Sequence, residues 1–175
     1  MTASAFLRTE RLAIRELDPV GDAGFVFRLL NSPKFLKYIG DRGVRSVEEA
    51  AIFIESRYRQ SYIDHGFGLY AVTLASDGKP IGICGFVNRD HLPAPDIGFA
   101  FLPEFERSGY GYESARGILD FGWNSLGFDR VLAIVSPGNI ASESLLLKLG
   151  FMPNGPLDIA GDRVDLFSIE RASGQ

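Results

Sequence analysis

Two glycines one residue apart, Gly109 and Gly111, stand in the stretch PEFERSGYGYESA (Pro103–Ala115), between an apolar strand-like run and a helix-like run. Residues of this kind can hold an anion. Backbone N–H groups over Glu106–Tyr112 can converge on one charge, a helix start adds a favourable dipole, and absent side chains open the approach. Arg107 and Ser108 add a cation and a hydroxyl. The same residues also read as an ordinary glycine-containing helix start, and local chemistry leaves both readings open.

Two familiar anion motifs fail their context. A Walker loop needs G-x-x-x-x-G-K-[ST], and the only Gly-Lys pair, Gly78-Lys79, is followed by Pro80. The dinucleotide pattern G-x-G-x-x-[GA] matches over Gly66–Ala71, but that stretch leads into a strand and opens no helix. At Gly109-Tyr110-Gly111 the closing position is Ser114, which breaks the pattern. A nucleotide-binding oxidoreductase would rest on the Gly66 match alone. Cys84, the one cysteine, sits in the apolar run IGICGF and reads as a small core residue, so a disulfide framework is excluded. His65 and His91 form no metal-ligand spacing, and no metal is expected.

The elements that must position the turn follow from periodicity. RLAIREL (Arg11–Leu17) alternates as a first strand. Asp18-Pro19 opens a helix carrying Phe25, Leu29 and Leu30, which stops near Asn31-Ser32-Pro33. A second helix begins at Ser46, with Glu49 as capping-box partner, and turns Ile52, Phe53 and Tyr58 to the core. Gly68–Ala75 and Ile81–Val87 flank an Asp77-Gly78 turn and form a hairpin. Asp96–Leu102 is the strand directly before the glycine turn. After it Ala115, Ile118, Leu119, Gly122, Trp123 and Leu126 make one helical stripe. Arg130–Ser136 is a buried strand, Asn139–Leu149 a short helix capped by Gly150, and Arg163–Glu170 a closing strand. The order β-α-α-β-β-β-α-β-α-β describes one α/β domain over residues 1–175.

With 175 residues, 46% of them hydrophobic and 14 of them Phe, the chain can bury a large core without disulfides or metal. A net charge of −4 argues against a nucleic-acid binder, which needs a basic face, yet leaves room for a local basic patch. No apolar run approaches the ~20 residues needed to span a bilayer, and MTASAFLRTERL lacks a signal-peptide pattern. The expectation is a cytoplasmic protein without nucleic-acid or membrane partners, either a monomer or a homodimer.

Three blocks together resemble the GNAT superfamily of N-acetyltransferases, in its ribosomal-protein-alanine branch. TERLAIREL (Thr9–Leu17) resembles that branch's T-E-R-L-x-L-R opening. DIGFAFLPEFERSGYGYESA resembles its E-I-G-Y-x-L-x-P-E-Y-x-G-x-G-Y-A-T-E-A block, and NIASESLLLKLGF (Asn139–Phe151) its N-x-x-S-x-x-x-L-x-K-L-G-F block. The resemblance implies a mixed, mostly antiparallel sheet flanked by helices, whose central strands splay into an acetyl-CoA cleft. Acetyl-CoA is implied as donor, and a primary amine of a small molecule or a protein N-terminus as acceptor. The pyrophosphate would lie on the amides of Arg107, Ser108, Gly109, Tyr110, Gly111 and Tyr112. Pantetheine would pair with the backbone of Phe101 and Leu102, with Asn139 and Ser142 on the second side.

The sequence also departs from the family. Glu106 opens the Gln/Arg-x-x-Gly-x-Gly/Ala signature, and Arg107 replaces the branch's first glycine. A carboxylate beside a pyrophosphate is unfavourable unless it points away. For the chemistry, a backbone N–H near Leu102 is the expected oxyanion donor, worth on the order of 3 kcal/mol when well aimed. Asp96, near the acidic strand position used elsewhere in the superfamily, is the candidate base, with Glu104 and His91 as rivals. Many members carry a Tyr four residues before the glycine of Gly-Phe, where this chain has Leu146. Ser142 is then the candidate acid acting through water, or a partner of its helix's own amides. Lys148 reads as a solvated helix charge. The missing Tyr and the presence of Glu106 leave an acyl-CoA-binding regulatory domain with little or no turnover as the alternative. Acceptor specificity falls to Asp18–Tyr62 and Asn88–Pro95.

Overall fold

The computed structural model describes residues 3–174. Its elements follow as β1 (Leu7–Arg8), β2 (Leu12–Arg15), α1 (Ala23–Leu30), α2 (Pro33–Tyr38), α3 (Val47–Phe53), a π-helical turn (Ile54–Arg59) and α4 (Gln60–His65). There follow β3 (Leu69–Leu74), β4 (Pro80–Val87), β5 (Asp96–Phe101), a 3-10 turn (Pro103–Phe105), α5 (Tyr110–Asn124), β6 (Arg130–Val135), α6 (Ile140–Leu149), β7 (Met152–Ile159) and β8 (Asp162–Glu170). The strands form one eight-stranded sheet in the order β1-β2-β3-β4-β5-β6-β8-β7. Every neighbouring pair is antiparallel except β5 and β6.

Two helical layers bury the two faces. On one, Ala115, Ile118 and Leu119 of α5 and Leu146 and Leu149 of α6 pack onto the strands. On the other, Leu29 and Leu30 of α1, Ala50 of α3, and Ile54 and Tyr58 of the π turn lie over Ala71, Ile83 and Leu102. Leu29, Leu30 and Ile54 are essentially fully buried, each stabilising the fold by roughly 2 kcal/mol. Among the described residues, no helix is long and apolar enough to cross a membrane.

Differences from the sequence reading have local causes. Asn31-Ser32-Pro33 ends α1 but also starts α2, with Pro33 at the first helical position where its missing N–H is harmless. In α3 the face centres on Ala50, so Ile52 is 67% exposed and does not reach the core. The buried positions Ala50, Ile54 and Tyr58 recur every four residues, a spacing that drifts around an α-helix; the wider π turn keeps them on one side. Ser46 caps this helix by accepting from the Glu49 N–H at 3.1 Å, while the Glu49 side chain accepts from the Arg45 N–H, one residue earlier than a capping box requires. The sequence reading omits β7, whose Pro153, Gly155 and Pro156 look like a loop. It survives as the outermost strand, where prolines leave no ladder bond unmade.

The end of β2 is joined to the start of α1 by a buried two-pronged ion pair. Arg15 Nη1 and Nη2 donate to the two Asp22 oxygens at 2.7 and 2.9 Å, and Asp22 also accepts from the Asp18 N–H at 2.8 Å. Removing one partner strands a buried charge. Asp22→Ala is therefore expected to cost about 3 kcal/mol or more in urea unfolding, against well under 1 kcal/mol for removing the exposed Asp158 beside Arg163.

Candidate active site

The sheet opens at its one parallel pair. β5 and β6 are bridged at Asp96 and Leu132, where the Leu132 N–H donates to the Pro95 carbonyl at 2.9 Å, and no further pairing follows. β5 is meanwhile paired to β4 along its whole length, from Asp96 opposite Val87 to Phe101 opposite Gly82. Successive residues of a strand present their N–H and C=O to alternate edges. The Leu102 N–H donates to the Ile81 carbonyl at 2.9 Å, so the even-numbered residues serve β4. The odd-numbered ones, Phe99 and Phe101, face the gap beyond the bridge.

This corrects the expected donor. The Leu102 amide is already used, and its side chain is 1% exposed within the core beneath α1. Phe101 and Phe99 carry their N–H and C=O groups on the open edge. The edge a strand residue serves depends on its partner strand, which the sequence does not display.

Because β5 and β6 are parallel, both leave the sheet at the same end. β5 runs into the glycine turn and β6 into the start of α6, so the two sequence blocks flank one opening. In the turn, Arg107 has φ +59 and Gly109 φ +83. Arg107 thus holds a left-handed backbone that glycine adopts freely, at a cost of roughly 1 kcal/mol. The Glu113 N–H makes the first turn's bond to the Gly109 carbonyl, which leaves the Tyr110, Gly111 and Tyr112 amides at the open start of α5. Glu106 points away from them: Lys34 Nζ lies 2.7 Å from its Oε2. A β-carbon on Gly111 would come within 3.2 Å of Leu145, so this glycine makes room for α6. Beside the start of α5 lies a cleft of about 540 Å³ bordered by Arg11, Gly109, Tyr112, Arg116 and Lys148. Lys148 is exposed, and its Nζ sits 4.4 Å from the centre of the Tyr112 ring.

Across the opening, Asn139 caps α6 by accepting from the Ser142 N–H at 3.4 Å. No described residue engages the Ser142 hydroxyl, which leaves it available for other bonds. Asp96 sits at the apex of the split, 1% exposed, with Arg89 Nε donating to its Oδ1 at 3.0 Å. Burial pushes its carboxyl up to about 6, and Arg89 only partly offsets this. Of the rivals, Glu104 is bonded to Arg28 at 2.7 Å; backbone hydrogen bonding and Arg28 hold its carboxyl below the usual range, which makes it a weak base. His91 is exposed on the loop after β4. Cys84 is fully buried, and burial pushes its thiol up to about 12.

The polar groups form a series from the apex outward: a carboxylate, the two free amides of β5, then the amides at the start of α5. A thioester on an amide-bearing arm that ends in a pyrophosphate needs such a series, and acetyl-CoA fits these residues. AAC(6')-Ib in complex with paromomycin and acetyl-CoA shares the fold, with TM-score 0.75 at 15% identity over 93% of this chain and 94% of its own. The crystal structure of an acetyltransferase from Agrobacterium tumefaciens str. C58 superposes with TM-score 0.80 at 21% identity, covering 94% of each chain. An uncharacterized N-acetyltransferase, YoaA of Bacillus subtilis (strain 168), is 29% identical over 153 residues, covering 86% of this chain and 85% of its own. Residues 11–152 match the family model described as Acetyltransferase (GNAT) domain. A match over most of the chain, on a sheet that opens at its one parallel pair, makes this protein a member of the GNAT acetyltransferases.

Proposed function

We infer that this N-acetyltransferase moves the acetyl group of acetyl-CoA to a primary amine by direct attack in a ternary complex. The observation that carries the reading is the opening of β5 from β6 immediately beyond Asp96. It sets a free strand edge between a buried carboxylate and a helix start rich in unpaired amides. Phe101 would pair with the pantetheine arm, with Asn139 and Ser142 on the second side. The amides of Arg107, Ser108, Gly109, Tyr110, Gly111 and Tyr112 would receive the pyrophosphate. Phe99, the open-edge amide nearer the apex, would donate to the acetyl oxygen as negative charge develops there.

Holding both reactants in the opening supplies rate by proximity. As the C–N bond forms and the C–S bond breaks, the amine loses a proton to Asp96, directly or through water. The departing thiolate takes one from solvent or through the Ser142 hydroxyl. The acceptor is a protein N-terminus or a small-molecule amine, selected by residues 18–62 and 88–95.

Thermal denaturation with acetyl-CoA, CoA, NAD and ATP tests the donor. Either CoA species at about 100 times Kd should add roughly 2.7 kcal/mol of stability, and a protein that ignores both is not an acetyl-CoA enzyme. Thiol release against N-terminal peptides, polyamines and amino acids then sorts the acceptors.

Asp96→Asn is expected to lower kcat by roughly 10²–10⁴-fold. The wild-type rate should fall as pH drops below about 6, where the carboxyl takes up its proton. Survival of that acidic limb in the Asn variant would assign the base elsewhere. Folding raises this carboxyl from 3.8 to about 6, so its contribution to stability is greatest when protonated. That contribution should decline by roughly 3 kcal/mol as pH rises from about 4 to 6, and the decline should vanish in Asp96→Asn.

A further inference from the structure

An amide cradle works only if its N–H groups, and not its carbonyls, turn towards the anion. Arg107 and Gly109 both sit in the left-handed region, and within the turn the Ser108 hydroxyl donates to the Glu106 carbonyl at 3.3 Å. A further contact reaches the turn from outside. Arg11 Nη1 donates to the Ser108 carbonyl at 3.0 Å. In a trans peptide the carbonyl and the following N–H point in opposite directions, so the Gly109 N–H is turned away from Arg11.

Arg11 is itself held on three sides. Its Nε donates to Glu113 Oε2 at 2.7 Å, and its backbone N–H donates to Glu113 Oε1 at 2.7 Å. The Thr9 hydroxyl donates to the same Oε1 at 2.7 Å. The Tyr110 ring lies beneath the guanidinium, 4.3 Å from its carbon. A β-carbon on Gly109 would stand 3.1 Å from Arg11 Nη2, so a side chain there would crowd the guanidinium as well as strain the backbone. With Nε and the backbone N–H committed to Glu113 and Nη1 to the Ser108 carbonyl, the contact that Arg11 makes with the turn runs through that carbonyl.

We propose that Arg11, locked by Glu113 and Thr9, is a positioning residue that aims the amides of the 106–112 turn at the pyrophosphate of acetyl-CoA. The proposal rests on reading that turn as the pyrophosphate site. It accounts for the joint presence of TER in the first block and of Glu113 in the second, residues about a hundred positions apart that meet in one cluster.

The test compares acetyl-CoA with S-acetyl-pantetheine, which lacks the pyrophosphate, by calorimetric titration and steady-state kinetics. Arg11→Lys and Glu113→Gln keep most of the volume, and Thr9→Val is the mildest change; thermal denaturation reports whether each folds. Arg11→Lys and Glu113→Gln should bind acetyl-CoA on the order of ten-fold more weakly, as expected for a lost charge-assisted hydrogen bond. Their affinity for S-acetyl-pantetheine and their KM for the amine should stay unchanged. Variants that keep the wild-type preference for acetyl-CoA, or lose both ligands equally, overturn the positioning role. A wild type with no preference between the two ligands overturns the cradle reading first, and the proposal with it.

Discussion

The structure depends on one unmade ladder. A strand in the middle of a sheet normally has both edges satisfied, because each buried unpaired amide costs roughly 1–3 kcal/mol. Here β5 is paired on one edge only, and β6 parts from it after a single bridge. The loss is tolerable because each half of the sheet is secured independently. β1 to β5 form one antiparallel ladder, and β6, β8 and β7 form another. Between them α5 packs against β1, β2, β4, β5 and α6, and the Ser136 hydroxyl donates to the Tyr38 carbonyl at 2.6 Å across the open end. An open edge held on a rigid frame keeps its shape without a partner strand.

Charge is used locally in an acidic protein. Three carboxylates lie on or beside the glycine turn, and each is turned onto a cation: Glu104 to Arg28, Glu106 to Lys34 and Glu113 to Arg11. The first two pairs are exposed and contribute little to stability, typically below about 1 kcal/mol. Their effect is geometric. They tie the turn to α1 and α2 on one side and to the β1–β2 connection on the other, and they remove negative charge from the space in front of the α5 amides. Glu106, the one residue that contradicts an anion site on paper, is thereby accounted for.

Much of this was legible in advance. The strands with clean alternation, the stripe of α5 and the Gly150 cap needed only local periodicity. The three sequence blocks identified the family. What escaped has a common cause. β1 is two residues long, β7 contains two prolines, and neither is a strand without its neighbour. That the Phe99 amide lies on the open edge and the Leu102 amide does not is set by pairing with β4, which no local pattern displays. Arg11 and Glu113 carried no signal of their partnership, since each alone is an ordinary surface charge.

The sequence by itself determined the α/β class, the acetyl-transfer family and the position of the glycine turn before α5. Those properties are written in residue types at short spacing, where backbone preference and hydrophobic period act directly. Tertiary structure alone decided which amides are free, where Glu106 points, and that Asp96 is buried enough to hold its proton up to about 6. Each of these depends on groups far apart in the chain being brought together. The physical quantities involved, strand register, desolvation and the direction of a peptide, belong to the packed molecule and to no local segment.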